Sequence, residues 1–415
     1  MVSLLAPALA LLCTAAPSVL AAPTKYQYSQ LDLASVPAHV RRDLTWSLQM
    51  GYSGQTFFDG FDFFTEPDPS HGSVTYVNKS QAFGEGLAFW TADGIPGIQA
   101  EHWATTNVGD ARNSVRITSK ALYTGGLFIF DVALMPWGCG VWPAIWTLGY
   151  EGTWPTTGEI DIVEGVQDMT ANQMTVHTTP GCTIAQNTSL YTGGMISSDC
   201  DSSTGGAGCS IVSDTNNTFG PSFNDNGGGV YAMLWDGDGV RIWNFLRANV
   251  PSDITSGVPT PSTWGLPAAA FDRTLCDPYT FFQSQVLILN VNLCGDWAGT
   301  TYSNYAYCPG TCAERIANPA NLVNTVMLVN SIKIYQQSGF EAIVGEAMTN
   351  SNQTGAAGAV ALNTTKSNST SSSSSSSSSK TSGSSKSSTG GIARVGDTLV
   401  LTYATVAAVM VSMLL

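Results

Sequence analysis

Three carboxylates crowd six residues of an otherwise apolar run, Gly158-Glu159-Ile160-Asp161-Ile162-Val163-Glu164-Gly165, in a chain whose charged content is only 11%. Two carboxyls about 5–5.5 Å apart suit double-displacement glycoside hydrolysis: one attacks the anomeric carbon and the other protonates the departing oxygen. A middle Asp161 can hold the attacking group by hydrogen bonding, and its charge helps to keep one glutamate protonated. Two blander uses compete. Calcium takes six to eight oxygens, often from loops rich in Asn and Gly, and a β-branched strand supplies too few. A merely exposed acidic face is the other, and the tryptophans at 142, 146 and 154 with His177 weigh against it.

Such chemistry requires the three groups on one face. Ile160, Ile162 and Val163 favour a strand, and strand side chains alternate, so Glu159 and Asp161 share a face. A regular pleat would send Glu164 to the other side, where an isolated carboxylate in an apolar layer is costly. One extra residue, a β-bulge at Ile162-Val163, turns Glu164 back beside its neighbours. The two glutamates then stand roughly 13 Å apart along the backbone at ~3.3 Å per residue, so their side chains must lean together.

The elements that would carry this strand are themselves strands. From about 26 to 340 the chain reads as short β segments separated by Gly, Pro, Asn, Asp and Ser, with almost no helical periodicity, which predicts an all-β sandwich or barrel. Predicted strands cover 114–119, 127–134, 141–148, 159–164, 172–177, 230–235, 240–245, 286–293 and 331–335. Asp236-Gly-Asp-Gly239 is a hairpin signal. Trp142, Trp235 and Trp243 are assigned to inward, core-facing positions. Asn290 and Asn292 share a strand face and are read as hydrogen-bonded structural groups. The stretches 180–229 and 251–280 are long loops whose ordering entropy crosslinks would offset.

The chain of 415 residues carries a net charge of −14 with a pI near 4.5 and has no basic cluster, so nucleic acid and anionic membrane are poor partners. Residues 1–21 read as a secretory signal. Its removal takes Cys13 and leaves eight cysteines, an even set that implies disulfides among 105 possible pairings. Zinc is disfavoured because no Cys-x₂-Cys occurs and His177 is the one histidine near them. Sequons at Asn78, Asn187, Asn216, Asn352, Asn363 and Asn368 fit the same route. Residues 341–388 are expected to form a Ser/Thr-rich disordered stalk, and 389–415 a glycolipid-anchor signal whose tail is removed. The expected product is a monomer, secreted and held at the cell surface or wall, with no membrane contact except that anchor.

At this point a resemblance emerges. The segment Gly158 to Glu164 resembles the active-site strand of glycoside hydrolase family 16, in the laminarinase-type form with the bulge residue. Gly140-Val-Trp-Pro-Ala-Ile-Trp146, Leu287-Ile-Leu-Asn290 with Gly295-Asp-Trp297, and Ile332-Lys-Ile-Tyr-Gln336 are similar to that family in the same order, over roughly 40–337. Asn172 to Cys182 adds similarity to the fungal endo-1,3(4)-β-glucanases. The resemblance implies a β-jelly roll of two curved antiparallel sheets with the substrate cleft on the concave face. It implies Glu159 as nucleophile, Glu164 as acid/base and Asp161 as the residue assisting the nucleophile. Trp146 and Trp154 become sugar-stacking residues, His177 a cleft residue, and Arg116 and Trp297 binding residues. No cofactor is expected; a structural calcium occurs in parts of the family and is left open. The expected activity is retaining hydrolysis of β-1,3 and mixed β-1,3/1,4 glucan. The alternatives are a cell-wall β-glucan transglycosylase using the same intermediate and a non-catalytic glucan-binding wall protein.

Overall fold

The computed structural model describes residues 45–337 and 343–346. The expected signal segment, the anchor signal and most of the expected stalk lie outside the described residues. Two antiparallel sheets pack face to face. The first runs Ala269–Asp272, Gly239–Leu246, Gly229–Asp236, Gly126–Leu134, Met327–Gln337, Pro96–Ile98 and Ala88–Trp90, with Trp46–Ser53 also paired to Met327–Gln337. The second runs Gly194–Ser197, Cys209–Val212, Gln173–His177, Glu159–Glu164, Val141–Gly149, Gln285–Leu293, Arg116–Ser119 and Phe61–Phe63. Ala121–Tyr123 joins that sheet through Gln285, and Ile343–Glu346 pairs with it in turn. Ladder pairing therefore resumes inside the segment expected to be stalk from 341, where the β-branched Ile343 and Val344 favour it. A short parallel pair, Val74–Tyr76 with Arg112–Ser114, stands apart.

Alternation explains the layering. Ile160, Ile162, Val163, Leu287, Leu289 and Val291 of the second sheet meet Phe128, Phe130, Tyr231, Met233 and Trp235 of the first in one continuous core. The opposite face of the first sheet carries a second apolar cluster, Leu127, Ile129, Val230, Ala232, Leu234 and Trp243, packed against Trp264 and Val250. Trp235 thus takes the inward position expected of it. Trp243 is buried on the other side, because the segment after Pro251 covers that face. The hairpin at 236–239 is present, with Asp236 paired to Gly239.

All eight cysteines expected in the mature chain are paired: Cys139–Cys308, Cys182–Cys276, Cys200–Cys209 and Cys294–Cys312. Sulfurs joined in disulfides are not thiolates, so these cysteines do not serve as zinc ligands. The expected loops are partly strand, since Gly194–Ser197 and Cys209–Val212 extend the second sheet at its edge.

Candidate active site

The Glu159–Glu164 strand begins after Gly158, which has φ +78° and lies so close to the Phe281 carbonyl that a Cβ would sit 2.4 Å from it. Only glycine accepts both conditions. The strand is then antiparallel to Val141–Gly149 in a register that pairs Trp146 with Asp161 but Ile145 with Val163. One residue, Ile162, is surplus. Ile162 and Val163 are both fully buried in the core, each contributing about 1.5–3 kcal/mol by leaving water. With two successive residues inward, Glu164 returns to the outer face beside Glu159 and Asp161. The bulge expected at Ile162-Val163 is present.

Indoles hold the two outer carboxylates. Trp154 Nε1 donates to Glu159 Oε2 at 2.8 Å, and Trp142 Nε1 donates to Glu164 Oε1 at 2.7 Å. Asp161 is only 2% exposed. Its Oδ2 lies 3.3 Å from His177 Nε2, which is also 4.0 Å from Glu159 Oε1. The other imidazole nitrogen is 2.8 Å from Ser202 Oγ, which fixes the ring. Burial raises all three carboxyls. Glu159 is pushed up to about 8, first by burial and then by Asp161, against the pull of His177, Trp154 and Arg116. Asp161 is raised by burial. Glu164 rises well above the usual range, through burial and then Asp161, with Trp142 opposing. Glu159 has the Arg116 cation among its neighbours, which favours ionisation; Glu164 does not, and is best placed to keep a proton.

The remaining expected site residues surround this centre. Trp146 is half-buried, its Nε1 donating to Asn290 Oδ1 at 2.7 Å. Arg116 is buried, with its guanidinium 4.9 Å from the Trp146 ring and 4.3 Å from Phe64. It backs an aromatic wall and is not a surface group. Trp154 is 47% exposed and tilts toward His177. Trp297 stands edge-on to Trp142 with centroids 6.1 Å apart. Asn290 and Asn292 are hydrogen-bonded, the latter donating to Asp68 and Ser70.

One expectation requires correction. Trp142 does not face the core: it is half-buried on the outer face and bonds Glu164. Alternation alone gave the signal, because 142, 144 and 146 lie on one face of a strand and Trp146 was already assigned to the cleft. Ser202 and Asn172, which supports the bulge, were also missed. Ser202 sits 25 residues from His177 in a loop, with no sequence pattern to connect them.

Glu159, Asp161 and His177 each offer one ligand atom, all within 4.8 Å of one another. Two carboxylates and an imidazole do not form the oxygen shell that calcium takes. The same groups suit proton transfer and orientation.

A sandwich with a crowded acid centre on one sheet face, rimmed by indoles, defines a carbohydrate-active protein. The family model described as "XgeA-like, catalytic GH16 domain" matches residues 61–335, and the chain belongs to glycoside hydrolase family 16. It is therefore a glycoside hydrolase by family, with a jelly-roll fold. It is 40% identical over 297 residues to a probable glycosidase of Schizosaccharomyces pombe, covering 70% of each chain. It is 39% identical over 312 residues to an endo-1,3(4)-beta-glucanase of Emericella nidulans, covering 72% of this chain and 49% of that one. The chain thus spans about half the length of such glucanase relatives. Among solved structures, laminarinase 16A of Phanerochaete chrysosporium, with beta-glucans in donor and acceptor sites, is 39% identical at a TM-score of 0.67. An elongating family 16 beta-1,3-glucosyltransferase is 38% identical at 0.66. Both alignments cover 70% of this chain and all of the other.

Proposed function

We propose that this chain is a retaining endo-β-glucanase that cuts β-1,3 and mixed β-1,3/1,4 glucan by double displacement. Glu159 attacks the anomeric carbon and forms the glycosyl-enzyme, while Glu164 gives its proton to the departing oxygen. Glu164 then takes a proton from water, which releases the sugar with its configuration retained. Asp161 and His177 orient Glu159, and Trp146, Trp154 and Trp297 stack on the apolar faces of pyranose rings. The observation that carries this reading is the bulge: Ile162 and Val163 both point inward, which returns Glu164 to the face of Glu159. The signal-like N-terminus, the sequons and four disulfides support a secreted glycoprotein; the Ser-rich segment and apolar tail support a glycolipid anchor at the cell wall.

The test is reducing-end release from laminarin and lichenan, with product anomers followed by NMR. The β-anomer should appear first, and Glu159→Gln should abolish release; persistent release by that variant would remove Glu159 from the nucleophile role. A second reading, transfer of the glycosyl group to another glucan, is favoured by the likeness to the elongating glucosyltransferase. It requires products longer than the starting laminari-oligosaccharide.

A further inference from the structure

The bulge that returns Glu164 to the cleft also disrupts its own ladder. Two residues of the bulged strand face one on the partner, so nearby peptide groups lose their regular neighbours. A buried peptide group left unpaired costs about 1–3 kcal/mol. One side chain supplies the missing partners. Asn172, fully buried, immediately precedes the facing Gln173–His177 strand. Its Oδ1 accepts from the Glu164 backbone N–H at 3.0 Å, and its Nδ2 donates to the Ile162 carbonyl at 2.9 Å. A single carboxamide therefore brackets Val163, next to the surplus Ile162, and acts there as a strand peptide would.

Asn172 is itself held from two directions. Its backbone N–H donates to Thr218 Oγ1 at 2.9 Å. Its Nδ2 also lies 3.3 Å from Asn244 Oδ1, on the Gly239–Leu246 strand of the opposite sheet. The bulge is thus referenced to both layers of the sandwich. Because the amide contacts the Glu164 N–H directly, any backbone shift there moves the Glu164 carboxyl.

We propose that Asn172 is a positioning residue for Glu164. By clasping the bulge it sets the height and lean of that carboxyl, and so the proton transfer to the departing oxygen. This inference rests on the assignment of Glu164 as acid/base. Misplacement by an ångström costs on the order of 100-fold in rate, which is the loss expected without the clasp.

The experiment compares kcat/KM on laminarin with that on a dinitrophenyl β-laminaribioside, whose leaving group departs without a proton. Asn172→Ala should lose about 100-fold on laminarin and far less on the aryl glycoside. Asn172→Asp should keep laminarin activity at low pH, where a protonated carboxyl offers one donor and one acceptor as the amide does. It should lose activity as that carboxyl ionises against the Ile162 carbonyl. Thr218→Val, which loosens the Asn172 backbone but leaves its carboxamide bonds, should lower Tm without creating dependence on the leaving group. Equal losses on both substrates for Asn172→Ala, or activity near wild type, would overturn the proposal. Should Asn172→Ala not fold, Asn172→Asp decides, and an unaltered pH profile in that variant overturns it. Glu164→Gln run in parallel separates the two failures: without leaving-group dependence of its own, the acid/base assignment falls, and the role of Asn172 with it.

Discussion

Glu164 sits where its charge is least favoured, and this has a consequence for stability. Its folded pKa is raised well above 4.5 by burial and by Asp161. The folded state therefore keeps the proton to higher pH than the unfolded chain does. Stability is unaffected by this group below the unfolded value, and falls as pH rises from there through the folded value. Glu164→Gln mimics the protonated form. Its Tm should match wild type near pH 4, exceed it progressively as pH rises above the unfolded value, and level off only once pH passes the raised folded value. Thermal denaturation across pH checks this, and a Tm gain confined to acid pH would contradict the assigned sign. At this scale the sequence foretold where Glu159, Asp161 and Glu164 lie, because three carboxylates in an apolar strand must share its outer face, and His177 stands beside them as expected. The sequence was not readable for Ser202, whose hydroxyl meets His177 only through the fold of a loop.

The element that sets the chemistry is the pair of strands Val141–Gly149 and Glu159–Glu164. Val141, Ile145 and Thr147 face inward, while Trp142 and Trp146 project from the outer face of the same strand. Trp142 joins two duties, meeting the Trp297 ring and donating to Glu164. An N–H donated to a carboxylate favours the ionised form, so this bond opposes the burial that raises Glu164. Trp142→Phe keeps a ring beside Trp297 and removes the donor. The basic limb of the pH profile for kcat/KM should then move upward, because Glu164 holds its proton longer. The acidic limb, which the proposed mechanism assigns to Glu159, should stay in place; a basic limb that does not move would separate Trp142 from the titration of Glu164. Long apolar strands buried on both faces, such as Gln285–Leu293 and Gly229–Asp236, were legible to within a residue as continuous β-branched and aromatic runs. Phe61–Phe63, Ala88–Trp90 and Pro96–Ile98 were not, since three residues cannot display a period of two. They are strands because a neighbour offers them a ladder.

At the scale of the molecule, disulfides fasten distant segments that the fold brings beside the carboxylates. Cys139–Cys308 and Cys294–Cys312 tie the segment carrying Trp297 to the start of the Val141–Gly149 strand and to the helix Cys312–Ala317. Cys182–Cys276 joins the two stretches first read as long loops, and Cys200–Cys209 closes the small loop that contains Ser202. Sequence could count these cysteines but not pair them, since pairing depends on which strands become neighbours. In the chain-entropy account a crosslink stabilises by restricting the unfolded chain, and more so for a longer loop. The loop closed by Cys139–Cys308 spans 169 residues and that closed by Cys200–Cys209 spans 9. Those lengths correspond to about 5 and about 2.6 kcal/mol respectively. Removing the first bridge with paired Cys→Ser changes should therefore lower denaturant stability roughly twice as much as removing the second. It should also raise KM for laminarin, because the segment bearing Trp297 is then less firmly held against Trp142. Removing Cys200–Cys209 should act differently, on kcat near the acidic limb, through the Ser202 contact that orients His177. Chemical denaturation with steady-state kinetics on both double variants separates the two effects, and equal stability losses would show that native packing, not loop closure, sets the value of each bridge.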